Sequence, residues 1–158
     1  MSLMIDTLFF SLVTNLAKTV DGVIYGGTLN FNYAEKPSDA SIIFHNTYTI
    51  AASTDLDIDL AGTLTSGEGS SATFSKIYGI VLRNLETTTG KKVTLGGGGN
   101  FHAWAGAQSH EINTGPNGLI TILNPTDGYT VTATTADILR IRNTGLSSIQ
   151  VRLALIGK

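Results

Sequence analysis

The chain predicts an all-β fold, a single-domain antiparallel β-sandwich of jelly-roll type spanning residues 1–158, and three features carry that expectation. Short apolar or alternating segments recur at intervals of about ten residues, separated by Gly, Pro, Asn or Asp. No stretch reads convincingly as helix. In the segment Lys76–Asn84, Ile77, Gly79 and Val81 occupy one face and Tyr78, Ile80 and Leu82 the other, so both faces are apolar and both are expected to be buried.

Taken in order, residues 5–16 carry a helical stripe (Ile5, Leu8, Phe9, Leu12, Leu16) but also alternate through Thr7, Phe9, Ser11 and Val13, and read as strand. Asp21-Gly22 is a turn signal, and residues 1–25 are expected to form an extended arm. Leu29, Phe31 and Tyr33 share one face of a half-buried strand and Thr28, Asn30 and Asn32 the other. Residues 34–40 are a polar loop around Pro37. Residues 41–45 and 47–51 read as strand with a kink or bulge at Asn46. Asp55 to Leu60 alternates strictly, with Leu56, Ile58 and Leu60 inward, and residues 61–71 have the composition of a flexible loop. Residues 76–84, a turn over 86–90 and residues 91–95 read as a hairpin leading into Gly96–Gly99. Residues 111–113 are a short strand, 119–123 a buried strand and 129–133 a further strand. Ile138–Asn143, a Thr-Gly-Leu-Ser-Ser turn and Ile149–Gly157 repeat the grammar of the first hairpin.

Composition bounds the function. With no cysteine, disulfide frameworks and thiolate metal sites are excluded. A net charge of −2 gives no general attraction to nucleic acid. Charged residues make up only 14% of the chain, against about a quarter in ordinary globular domains, which suits a surface hidden by other subunits or on a particle. A homo-oligomer is the expectation, and a trimer is what the resemblance given below implies. The apolar N-terminus has no preceding Lys or Arg and is interrupted by Asp6, unlike a secretory signal, and no run reaches the roughly 20 apolar residues of a membrane span. Synthesis in a cytoplasm, with no membrane association, is expected.

Motifs that would carry chemistry are incomplete. Gly96–Gly99 is followed by Asn100-Phe101-His102 where a phosphate loop needs Lys-Ser or Lys-Thr, so the glycines read as close backbone packing or a mobile loop. Asp55, Asp57 and Asp59 open like a calcium loop, but Leu60 and Ser66 stand where Gly and Glu are required, and alternation lines the carboxylates along one strand face, suited to blunting a sheet edge. His102, His110 and Glu111 match no zinc spacing, His45 cannot be placed with them, and there is no G-x-S-x-G elbow. Carboxylates such as Glu68 and Asp127 cannot be paired from sequence. No catalytic residue, metal site or cofactor is assigned, and no enzymatic activity is expected. The one candidate contact is the aromatic loop with Phe101, His102 and Trp104, whose rings either face a partner or plug one end of the sandwich.

Several segments together, Thr49–Ser53, Asp57–Leu64, Ala72–Phe74, Val81–Asn84, Leu95–Gly97 and Tyr129–Ala133 with Ala136–Ile141, resemble a group of small structural proteins encoded by tailed bacteriophages and prophages. The resemblance covers residues 45–158. It implies a virion role, most simply a decoration or cement protein on the capsid surface whose partners are the major capsid protein and further copies of itself. The alternative is a tail or baseplate β-module that binds a host receptor or glycan.

Overall fold

The computed structural model describes the backbone of residues 8–20, 23–35 and 39–158, and the side chains of 39–158. In chain order the strands are β1 (Leu8–Val20), β2 (Val23–Glu35), β3 (Ile42–Ile50), β4 (Thr54–Asp59), β5 (Leu64–Thr65), β6 (Ser71–Ala72), β7 (Lys76–Asn84), β8 (Val93–Gly96), β9 (Glu111–Thr114), β10 (Leu119–Leu123), β11 (Tyr129–Thr130), β12 (Ile138–Asn143) and β13 (Ile149–Gly157). Among the described residues there is no helix. One sheet is ordered β10-β7-β13-β3, with β11 also on β7, and the other β4-β12-β8-β9. All pairings are antiparallel. The fold is the all-β sandwich that the alternation predicts.

Alternation builds the core. β13 turns Ile149, Val151, Leu153 and Leu155 inward and Gln150, Arg152, Ala154 and Ile156 outward. Phe44, Ile80 and Leu82 join them from one sheet and Ile58, Val93, Leu95, Leu139 and Ile141 from the other, each no more than 3% exposed. Burying each such side chain contributes about 1.5–3 kcal/mol. The expected split of β7, with Tyr78 beside Ile80 and Leu82 and Ile77 opposite, breaks at one end because its pairing with β13 slips at Ile156/Gly157. Ile77 joins the main core, while Tyr78 packs outside on Ala40 and Ile156, its hydroxyl donating to Asp39.

The two expected hairpins are not hairpins. β7 lies in one sheet and β8 in the other, and β12 and β13 are divided the same way, so both connections are arches that cross the core. Because β7 pairs with β13 and β8 with β12, the arches lie side by side and supply the central strands of both sheets. A strand-turn-strand sequence reports only that the chain reverses. Whether the returning strand bonds beside the first or packs opposite it depends on where the inward faces meet, and the loops over 85–92 and 144–148 are long enough to cross between sheets about 10 Å apart.

Each arch is closed by a buried asparagine in the inward phase of its strand. Asn143 donates from Nδ2 to the carbonyls of Ile50, Ala51 and Ser147 at 3.1, 2.9 and 2.8 Å and accepts from Gly145 N–H at 3.0 Å. Asn84 donates to the carbonyls of Lys91 and Gly115, both at 2.9 Å, and accepts from Glu86 N–H at 3.1 Å. Both satisfy backbone groups that the turning chain would otherwise leave buried and unpaired.

Further differences from the sequence reading have local causes. β3 runs unbroken through Asn46, which pairs with Leu153 and stays in register. Residues 61–71 are ordered by β5, β6 and a turn in which Ser66 N–H donates to Ser70 O at 2.8 Å and Gly67 N–H to His45 O at 2.9 Å. β10 is an edge strand with only Ile120 fully buried, and β11 is limited to two residues. β1 and β2 form their own two-stranded sheet, paired from Leu8↔Glu35 to Val20↔Val23, so this element runs past residue 25 to Glu35. Residues 1–7, Asp21-Gly22 and 36–38, including the Pro37 of the expected polar loop, lie outside the described residues.

Asn143→Ala should lower stability by about 2–4 kcal/mol, since it leaves three carbonyls without their donor. Asn143→Asp should do no better, because a carboxylate cannot donate. Urea unfolding of both variants beside Leu153→Ala, expected to cost about 2–5 kcal/mol, tests this.

Candidate functional site

The outward face of β4-β12-β8-β9 carries alternating charges across its strands. Cross-strand register sets Arg140 opposite Asp57 and Arg142 opposite Asp55. Arg140 donates through Nε and Nη2 to both oxygens of Asp57, each at 2.7 Å, and its Nη1 lies 3.5 Å from Asp55. Arg142 Nε donates to Asp55 at 3.1 Å and its Nη1 stands 3.6 Å from Glu111 Oε2. Asp57, Arg140, Asp55, Arg142 and Glu111 thus form one chain of opposite charges across β4, β12 and β9. Arg140 holds the Asp57 carboxyl below the usual carboxylate range, and Asp57 in turn raises the Arg140 guanidinium. Asp59 stands apart, accepting from Ala61 and Gly62 N–H at 3.1 and 2.8 Å. The aspartate row lies, as expected, on the face of an edge strand, but two of its members are paired with arginines.

The tetraglycine run makes room for this chain. Gly96, Gly97 and Gly98 have φ of 94°, 74° and 125°, values that side chains other than glycine rarely adopt. A Cβ on Gly97 would lie 2.7 Å from Glu111 Oε2 and 2.9 Å from Arg142 Nη1, in the space where those side chains meet. One on Gly99 would lie 2.4 Å from the Ile138 carbonyl. Of the two alternatives for the glycines, close packing is the observed one. Asn100 then ties the run to the start of β12. Its Oδ1 accepts from Asp137 and Ile138 N–H at 2.8 and 2.5 Å and its Nδ2 donates to Asp137 Oδ1 at 2.9 Å. These bonds, with Thr134 N–H, keep the Asp137 carboxyl below its usual range.

The aromatic loop divides its roles. Phe101 is 2% exposed and plugs the core, so it offers no surface to a partner. The Trp104 ring is half-buried, its Nε1 donating to Phe101 O at 3.0 Å and its six-membered edge lying over Gly96. His102 is half-buried, and among the described residues its Nδ1 has no hydrogen-bond partner. The loop is braced by Gly97 N–H to His110 O at 3.0 Å, Gly98 N–H to Gln108 O at 2.9 Å, and His110 Nδ1 against Ala105 O at 2.6 Å.

Two adjoining hollows of about 560 and 530 Å³ open here and share Ser109 and Glu111. Gly97, Gly98, Gln108 and Arg142 line the first and Trp104 and His110 the second. Trp104 is therefore the predicted contact residue that the fold places in a concavity, together with Arg142, Gln108 and Ser109, which the sequence reading did not single out. The outward phase of Arg140 and Arg142 in β12 was the available signal. His102, His110 and Glu111 do not converge, and among the described residues no three His, Asp or Glu side chains do. His45 pairs with Glu68 at 2.8 Å, and Asp127 sits in the turn anchored by Asn124.

The depressed pKa of Asp57 sets the sign of a pH effect: its contribution is present above the unfolded value near 3.9 and is lost as pH falls through the lower folded value. Melting curves between about pH 2 and 6 should show part of the acid loss removed in Asp57→Asn, a modest part because the side chain is 43% exposed. Gly99→Ala should cost about 1–3 kcal/mol by forcing backbone apart, whereas Gly115→Ala, with nothing within 4 Å of the added carbon, should stay within about 0.5 kcal/mol by chemical unfolding. Compared with protein-family models, with curated proteins and with solved structures, the chain matches none, so its function is read from its own chemistry.

Proposed function

We propose that this chain is a structural protein of a bacteriophage virion that decorates and stabilises the head by binding the lattice of the major capsid protein, with the β1–β2 hairpin as its docking element. The observation that carries the reading is the hairpin itself. It pairs 13 residues with 13 and forms a sheet separate from the sandwich. An isolated two-stranded hairpin is at best marginal in water.

Register and sequence together give it two unlike faces. Leu8↔Glu35, Phe10↔Tyr33, Leu12↔Phe31, Thr14↔Leu29, Leu16↔Gly27, Lys18↔Tyr25 and Val20↔Val23 fall on one, and Phe9↔Ala34, Ser11↔Asn32, Val13↔Asn30, Asn15↔Thr28, Ala17↔Gly26 and Thr19↔Ile24 on the other. By sequence the first set is the richer in apolar residues. A ladder of this length spans about 40 Å and offers roughly 400 Å². That is about half of one partner's share in a standard interface, so several hairpins of a symmetric oligomer acting together suit the lattice better than one. The low charge content agrees, because a cement protein gains stability from surface that only the assembled shell presents.

Mixing the full chain with undecorated capsids and sedimenting them should bring it into the pellet. Leu12→Asp with Phe31→Asp should weaken co-pelleting at least tenfold while the melting of the sandwich is kept. A wild-type chain that stays in the supernatant refutes the reading. Native mass should give three times 16.6 kDa.

A further inference from the structure

We infer that the paired hollows between the Gly96–Gly99 turn, the 104–110 loop and β9 form a binding site for a neutral oligosaccharide. At one end Trp104 supplies a flat carbon surface. Its only polar atom, Nε1, is engaged by Phe101 O at 3.0 Å and its ring edge is seated over Gly96. What remains for a ligand is apolar, the surface on which the C–H face of a sugar ring stacks. At the other end Glu111, Arg142, Gln108 and Ser109 offer carboxylate, guanidinium, amide and hydroxyl, the groups that pair with sugar hydroxyls. The 3.6 Å between Arg142 Nη1 and Glu111 Oε2 exceeds a direct hydrogen bond, so donor and acceptor both stand ready for adjacent hydroxyls of one ring.

Charge decides against ionic ligands. Arg142 lies between Asp55 and Glu111, and Arg140 between Asp55 and Asp57, so each guanidinium is flanked by carboxylates. A phosphate or a uronic or sialic acid meets no uncompensated guanidinium at these hollows, and would approach the Glu111 carboxylate. The two hollows, each of ligand-pocket size, share Ser109 and Glu111, which suits linked sugar units rather than a single one. The walls are held before any ligand arrives. Gln108 Nε2 donates to Gly98 O at 3.0 Å, and the Gly97–His110 and Gly98–Gln108 backbone bonds fix the loop, so little ordering is left to be lost on binding.

Trp104 is the chain's single tryptophan, so its fluorescence reports on this site alone. The full chain is screened on an array of neutral and anionic bacterial cell-surface oligosaccharides, and the best neutral glycan is then titrated by fluorescence and calorimetry. The expected result is a saturable change in Trp104 emission with Kd at or below about 1 mM. Affinity should fall at least tenfold in Glu111→Gln and in Gln108→Ala, both exposed positions where melting temperature is to stay unchanged, and in Trp104→Ala by calorimetry. Absence of any neutral hit, undiminished binding in Glu111→Gln and Gln108→Ala, or preference for anionic glycans overturns the inference. The capsid reading is tested separately, since Glu111→Gln is to leave co-pelleting intact.

Discussion

The sandwich depends on carrying two pairs of strands across its core without leaving polar backbone stranded there. β7 to β8 and β12 to β13 each leave one sheet and enter the other, and the four strands so placed are the centre of both layers. Asn84 and Asn143, 0% and 2% exposed, make this possible by holding the carbonyls at the corners. A side chain with donors and an acceptor on one planar group does at each corner what a hydrogen-bonded β-turn does in a hairpin. The apolar faces then meet of necessity, because the inward phase that ends in asparagine begins with Ile80 and Leu82 in one arch and with Leu139 and Ile141 in the other.

The surface chemistry follows from the same strand phases. With Leu139 and Ile141 inward, Arg140 and Arg142 must point out, beside the carboxylates of β4 in fixed register. The pairing is an extended chain of charges, each arginine shared between carboxylates, and this geometry resists screening better than isolated surface pairs. The two arginines and three carboxylates together leave a net charge of only −1 on this face. The tetraglycine turn belongs to this arrangement, since it supplies positive φ and leaves the space that the Glu111 and Arg142 side chains occupy.

The two regions read as functional differ in kind. The N-terminal hairpin, proposed for large-area association, is a long ladder of continuous antiparallel pairing. The hollows by Trp104 are braced, set an apolar ring beside polar side chains, and are proposed to take a ligand with many hydroxyls. Under the two proposals, adhesion to a shell and recognition of a surface sugar would fall to separate elements.

By itself the sequence determined the fold class and most strand phases and positions, because a period of two and the spacing of Gly, Pro and Asn are local properties. Alternation over Asp55–Leu60 was enough to assign inward and outward residues. Only the tertiary structure decided which strands are neighbours. The arches were misread as hairpins because a chain reversal looks the same whether its arms bond or pack. Phe101 and Trp104, three residues apart in one loop, became a core plug and a pocket wall. The site was hidden for the same reason: Glu111 and Arg142 are 31 positions apart in the sequence, and only sheet order brings their charges together across a turn without side chains.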